Sequence, residues 1–316
     1  MPQTHIVVVG SLNMDLVVQI PVIPAPGETV LGDNFATIPG GKGANQAVAA
    51  ARLGAKVSLI GRVGADAFGE QLLANARAEG INVDHVGVDE TAASGIAMIT
   101  VDAAGQNSIA VASGANYCLT AVHVRRAWEQ LEPVDLLVMP LETPLETIET
   151  AVSLAKQAGA KVILNPAPAR SLPANILAGV DVLVPNEAET AQLTGLPVET
   201  PADTQQAARR LLQLGVGHVV LTLGSRGALV LDGESETFTA VPPYPVTVVD
   251  TTAAGDAFVA GLAVALGEGR PLVAAAQFAN AVGALAVTKQ GAQPGMPRRA
   301  EVKSLLGYES KNESER

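Results

Sequence analysis

Short, continuous β-branched apolar runs recur along the chain, at Ile6–Val9, Val57–Ile60, Leu136–Met139, Val162–Leu164, Val182–Val184, Val219–Leu223 and Ala228–Leu231. Without polar alternation, such runs predict strands buried on both faces. Between them lie Ala-rich segments whose apolar positions recur with helical period: Ala44–Leu53, Phe68–Glu79, Ala121–Leu131, Leu145–Ala158 and Thr204–Leu214. Each predicts a helix covering the sheet, and a last helical pattern spans Leu272–Val287. Strand and helix in alternation predict an α/β fold, a doubly wound and mostly parallel sheet.

Two stretches break the rhythm by alternating apolar and polar residues, Asp15 to Ile38 and Gly95 to Val111, the second with a turn signal at Asp102–Gly105. They read as antiparallel strands with one solvated face, forming a small β-sheet lid from two insertions. The plain alternative is a pair of surface hairpins with no gating role. The expected division is a core of 1–13, 40–91 and 113–308, a lid of 14–39 and 92–112 that doubles as a dimer clasp, and a frayed tail at 309–316.

Composition narrows the class. With 316 residues, 48% hydrophobic and 16% charged, the chain can bury a large core. A net charge of −11, with Lys and Arg dispersed, argues against nucleic acid as a partner but not against a small anion held by local backbone N–H groups. A single cysteine, Cys118, excludes an intramolecular disulfide, and the four histidines show no metal-ligand spacing. No signal-peptide pattern and no apolar run long enough to span a membrane is visible, so the expected location is the cytoplasm.

The strongest chemical signal is VVDTTAAGDAF, Val248 to Phe258, where a strand passes through small residues into a helix starting near Asp256. The first N–H groups of a helix lack intrahelical partners, so Ala253, Ala254 and Gly255 can aim theirs at an anion. Asp256 is then placed to accept a proton from an attacking hydroxyl, or it is simply a helix cap. A second group opens the chain. Asn13 and Asp15 follow the first strand, and PGGKGAN, Pro39 to Asn45, leads into a helix. Both lie beyond strand carboxyl ends, where open α/β sheets bind ligands, and Asn13, Asp15, Lys42 and Asn45 mix donors and acceptors as sugar hydroxyls require. Taken singly these are turn formers and a tight connection. Ala36 stands where a Walker loop needs glycine, and Gln46 where a dinucleotide fingerprint needs its third, so both of those phosphate-binding classes are disfavoured.

Taken together, Gly40–Asn45 and Asp250–Asp256 resemble the two signatures of the ribokinase-like (PfkB) carbohydrate kinases, and the likeness extends over nearly the whole chain. The resemblance implies ATP-dependent phosphorylation of D-ribose at O5, with Asp256 as base and the 253–255 backbone as anion hole. It implies sugar contacts from Asn13, Asp15, Gly41, Lys42, Asn45, Glu142 and Asp256. Nucleotide would run along Asn186, Thr222, Gly224, Ser225, Gly227, Gly255 and Asn280. Glu189 would act on Mg²⁺ through water, although Asn186 and Glu189 also read as a capping box. An activating K⁺ site maps to Asp250, Thr252, Ala286, Lys289, Gly291 and Gly295; the last departs from the family's serine and offers no hydroxyl. Related readings are a kinase for 2-deoxyribose, fructose or a nucleoside, and a sugar-binding regulator without catalysis.

Overall fold

The computed structural model describes residues 3–307, so the frayed tail expected at 309–316 lies outside the described residues. In chain order the first third contains β1 (His5–Val9), β2 (Asn13–Gln19), β3 (Asn34–Gly40), α1 (Lys42–Arg52), β4 (Lys56–Gly64), α2 (Ala67–Ala78), β5 (Val86–Asp89), β6 (Gly95–Val101) and β7 (Asn107–Ala112). A 3₁₀ turn at Gly114–Cys118 leads to α3 (Ala121–Trp128), β8 (Leu136–Met139), α4 (Leu145–Gln157), β9 (Lys161–Leu164), α5 (Ala174–Leu177), β10 (Val182–Leu183), α6 (Glu187–Thr194) and α7 (Pro201–Gln213). The remainder is β11 (His218–Thr222), β12 (Ala228–Leu231), β13 (Phe238–Val241), α8 (Ala254–Gly267), α9 (Leu272–Ala286), α10 (Ala292–Gly295) and α11 (Arg299–Leu305).

Nine strands form one sheet in the order β13-β12-β11-β10-β9-β8-β1-β4-β5. Every pair is parallel except β11 with β12 and β12 with β13. From β1 the chain first builds outward through β4 and β5, then returns to the other side at β8. That reversal places the topological switch at β1 and β8, whose carboxyl ends open the crevice where such sheets take ligands.

Alternate residues of β1 explain the two layers. Ile6 and Val8 belong to the core that α1, α8 and α9 share, while Val7 and Val9 belong to the core that α3, α4 and α7 share, all four being essentially solvent-free. Each such side chain contributes about 1.5–3 kcal/mol of burial free energy, which is why the predicted strands carry no polar alternation. Two strands escape that reading: β5 and β13 lie at the sheet edges, and VGVD and FTAV are short and only partly buried.

The alternating stretches form a separate four-stranded sheet, β3-β2-β6-β7. Its hairpins β2/β3 and β6/β7 are antiparallel, but the seam between the two insertions, β2 with β6, is parallel. The parallel seam arises because both hairpins leave the core in the same direction. Gly105 at the predicted turn has φ 77° and donates its N–H to Asp102 O at 2.9 Å. No helix among the described residues is long and apolar enough to cross a membrane.

Candidate active site

A cleft of ≈ 600 Å³ lies between the carboxyl edge of the large sheet and the small one. Asn13, Asp15, Gly41, Lys42, Asn45 and Glu142 line one part of it; Asn186, Glu189, Thr222 and Thr251–Asp256 line another. Thr252 to Asp256 stand at the start of α8, which begins at Ala254, two residues earlier than the sequence suggests. Ala253 precedes it at φ 59°, a left-handed conformation costly for a residue with a Cβ. That turn brings the loop sharply to the helix. The Ala254 N–H donates to Thr251 O over a long 3.3 Å.

Asp256 is buried, with 4% of its surface exposed, and both carboxylate oxygens are held from α1. Asn45 Nδ2 donates to Oδ2 at 3.0 Å and Gln46 Nε2 to Oδ1 at 3.1 Å. Asp256 therefore does more than cap α8, because its side chain joins two helices across the cleft floor. Close packing of small residues allows this: Ala44, Ala47 and Val48 of α1 lie in the same core as Ala257 and Ala260 of α8.

On the sugar-expected side, Asn13 is buried and its Oδ1 accepts from Asn116 Nδ2 at 2.8 Å. Glu142 Oε2 accepts from Ser11 Oγ and from the Lys42 N–H, the latter at 3.1 Å. Gly41, at φ 88°, lets the chain turn into α1; a Cβ there would sit 2.6 Å from Asn13 N. The charges are strongly coupled. Burial, then the negative charges of Glu142 and Asp256, push the Asp15 carboxyl up to about 7, with Lys42 opposing them. The Lys42 ammonium is held above its usual range first by Asp256, against burial, with Glu142, Glu189 and Asp15 adding to it.

Asn186 and Glu189 form a complete capping box at α6. Asn186 Oδ1 accepts from the Glu189 N–H, and Glu189 Oε2 accepts from the Asn186 N–H, both at 2.8 Å. Burial, with the negative charge of Asp256, raises the Glu189 carboxyl, against the Asn186 N–H and Lys42. Among the described residues no group of three or more His, Cys, Asp or Glu could hold a metal by itself. Mg²⁺ suits such a place because it keeps waters and phosphate ligands.

The other nucleotide positions are less gathered. Thr222 reaches the cleft, whereas Gly224, Ser225, Gly227 and Asn280 are not among its lining residues. Gly224–Arg226 form an exposed 3₁₀ turn just past β11. Asn280 is buried and commits its amide N–H groups to Val241 O at 3.2 Å and Pro242 O at 3.0 Å. In the third group, Asp250 Oδ1 accepts from Thr252 N and Oγ1 at 2.9 and 2.7 Å, and Oδ2 accepts from Gly291 N at 2.8 Å. Burial opposes ionisation there, but these donors outweigh it and hold the Asp250 carboxyl below its usual range. A Cβ on Gly295 would stand 2.9 Å from Ala286 O and 3.6 Å from Lys289 O, so two carbonyls converge on the space a serine would enter. Backbone carbonyls of this kind are ligands a monovalent cation accepts.

The matched sequence extent decides the family: the pfkB family carbohydrate kinase profile covers residues 3–299. The chain belongs to the pfkB family of carbohydrate kinases. It is 43% identical to a ribokinase of Bacillus subtilis over 96% of this chain and 99% of the relative. It is also 38% identical to a deoxyribokinase of Salmonella typhi, over 98% and 99%. Among solved structures it resembles the Arabidopsis thaliana ribokinase complexed with ribose and ATP, at 35% identity and a TM-score of 0.87, covering 96% of this chain and 99% of that one. In this pfkB kinase, sequence reasoning missed Ser11, Gln46, Asn116 and Asn165. Asn165 carried a usable signal, a polar residue directly after the buried run Val162–Leu164, whereas Glu142 and Asn186 stand two or three residues beyond theirs.

Proposed function

We propose that the protein transfers the γ-phosphoryl group of ATP to O5 of D-ribose, giving D-ribose 5-phosphate, with Asp256 as general base. The observation that carries this is the buried Asp256 carboxylate at the N-terminus of α8, facing the cleft and bound on its other side by the amides of α1. A sugar hydroxyl beside Asp256 loses its proton to the carboxylate as its oxygen attacks the phosphorus, while ADP leaves. The N–H groups at Ala253, Ala254 and Gly255, with the helix dipole, offset charge on the group in transit.

Asn13, Asp15, Gly41, Lys42, Asn45 and Glu142 hold the sugar, and residues 14–39 and 92–112 close over it, excluding water that would otherwise hydrolyse ATP. Asn186, Thr222, Gly224, Ser225, Gly227 and Asn280 border the nucleotide, Asn280 through its carbonyl oxygen or through the 241–242 backbone it fixes. Mg²⁺, when bound near Glu189, neutralises phosphate charge. K⁺ fits Asp250, Thr252, Ala286, Lys289, Gly291 and Gly295 through backbone oxygens. The strand β7 is exposed along its length at the edge of the small sheet, which supports pairing with a second copy.

The related deoxyribokinase supports a second reading, 2-deoxyribose as substrate. ADP formation with ATP and Mg²⁺ over D-ribose, 2-deoxyribose, fructose and adenosine, with Asp256→Asn as control, separates them. Ribose-dependent turnover lost in the variant supports the proposal. Sugar binding by calorimetry without turnover on any substrate sinks it in favour of a non-catalytic sugar-binding protein.

A further inference from the structure

Gln46 belongs to neither the sugar set nor the nucleotide set, yet it is fully buried and touches Asp256. Its Nε2 donates to two acceptors, Asp256 Oδ1 at 3.1 Å and Asn165 Oδ1 at 3.2 Å. Asn165 Nδ2 in turn donates to Val184 O at 2.9 Å. The far end of this chain fixes every orientation in it. A main-chain carbonyl only accepts, so Asn165 presents Nδ2 to Val184 and Oδ1 to Gln46. Gln46 must then present its NH₂, and both protons are used. The reversed amide would set Oε1 against a carboxylate and a carbonyl oxygen.

This arrangement has a visible cost. Among the described residues Gln46 Oε1 has no hydrogen-bond partner and is buried. An unsatisfied buried acceptor costs about 1–3 kcal/mol, which an apolar side chain of similar length avoids. Stability therefore does not account for a glutamine here, whereas holding the carboxylate does.

We propose that Gln46 is a positioning residue for phosphoryl transfer: anchored through Asn165 to the end of β10, it fixes the carboxylate of Asp256 opposite Asn45 in one reactive orientation. It rests on the kinase reading above. With one oxygen pinned by Gln46 and the other by Asn45, the carboxylate plane cannot rotate. The charged groups that couple to Asp256 are Lys42 on α1, Asp15 on β2 and Glu189 on α6, and Gln46 is hydrogen-bonded to none of them.

The test replaces Gln46 with methionine, which keeps length and removes both donors, and compares steady-state kinetics and thermal midpoints with the wild type on the sugar it turns over. Expected is a fall in kcat of about 10- to 100-fold with little change in KM for sugar or ATP. Asn165→Leu, which releases the anchor and leaves Gln46 in place, shows a smaller fall in kcat with the same unchanged KM values, and keeps the test open should Gln46→Met not fold. Wild-type kcat in the variants, or a loss of kcat matched by a loss of folded protein, overturns the proposal. Absence of turnover in the wild type overturns the kinase reading and this proposal with it.

Discussion

The carboxylate of Asp15 faces the backbone of Gly40 across the β2–β3 pair so closely that a Cβ on residue 40 would lie 2.3 Å from Oδ2 and 2.6 Å from Cγ. The glycine is thus a condition for where Asp15 stands. Gly40→Ala should swing the carboxylate out of the cleft and weaken sugar binding at least about 10-fold, by analogy with other displaced charged hydrogen bonds worth ~1.5–3 kcal/mol. Calorimetry with sugar and, separately, with ATP checks it; nucleotide affinity should hold.

Asp15 itself should trade stability for binding. Its carboxyl is raised from 3.8 to about 7, so the folded state holds a proton that the unfolded chain releases. Its favourable contribution is full below pH 4 and is lost as pH rises to about 7. Asp15→Asn should therefore be more stable than the wild type at pH 8, by up to about 4 kcal/mol, and show no gain near pH 4. Denaturant melts at both pH values read this, and the same variant should bind sugar poorly.

Ala253 carries strain at φ 59° where glycine is at ease. Ala253→Gly should raise stability by about 0.5 kcal/mol, the relief of the left-handed conformation being partly offset by a freer unfolded chain. A drop in thermal midpoint would count against strain at this turn.

Glu189 lies within its own cap while its carboxyl is raised by burial. Glu189→Gln keeps an acceptor for the Asn186 N–H, so the loss of stability should stay within ~1 kcal/mol. Loss of the charge should raise the Mg²⁺ concentration needed for half-maximal rate about 10-fold, read by titrating Mg²⁺ at fixed ATP.

Much of this was legible in the amino-acid order, and the reasons are local. Ile6–Val9 and Leu136–Met139 announce central strands because burial on both faces forbids polar residues, and the alternation from Gly95 to Val111 announces a half-solvated sheet. The edge strands β5 and β13 lacked that signature because one flank has no covering neighbour. Asp256 and Asn45 were visible through their Gly- and Ala-rich surroundings. The pairing of Gln46 with Asn165 was not, since it lies in a contact 119 positions apart that no local pattern records. The parallel seam of β2 with β6 was hidden for the same reason.

The bond between Asn45 and Asp256 spans 211 positions. During synthesis at about 5–20 residues per second, roughly 10–40 s pass between the emergence of the two residues from the ribosome. Until α8 arrives, α1 rests on β1 and β4 alone, and its two amides lack the carboxylate that partners them. A nascent chain can therefore display Asn13, Asp15 and Lys42 before the helix that completes the cleft exists, and any fragment ending before residue 256 leaves one side of α1 uncovered.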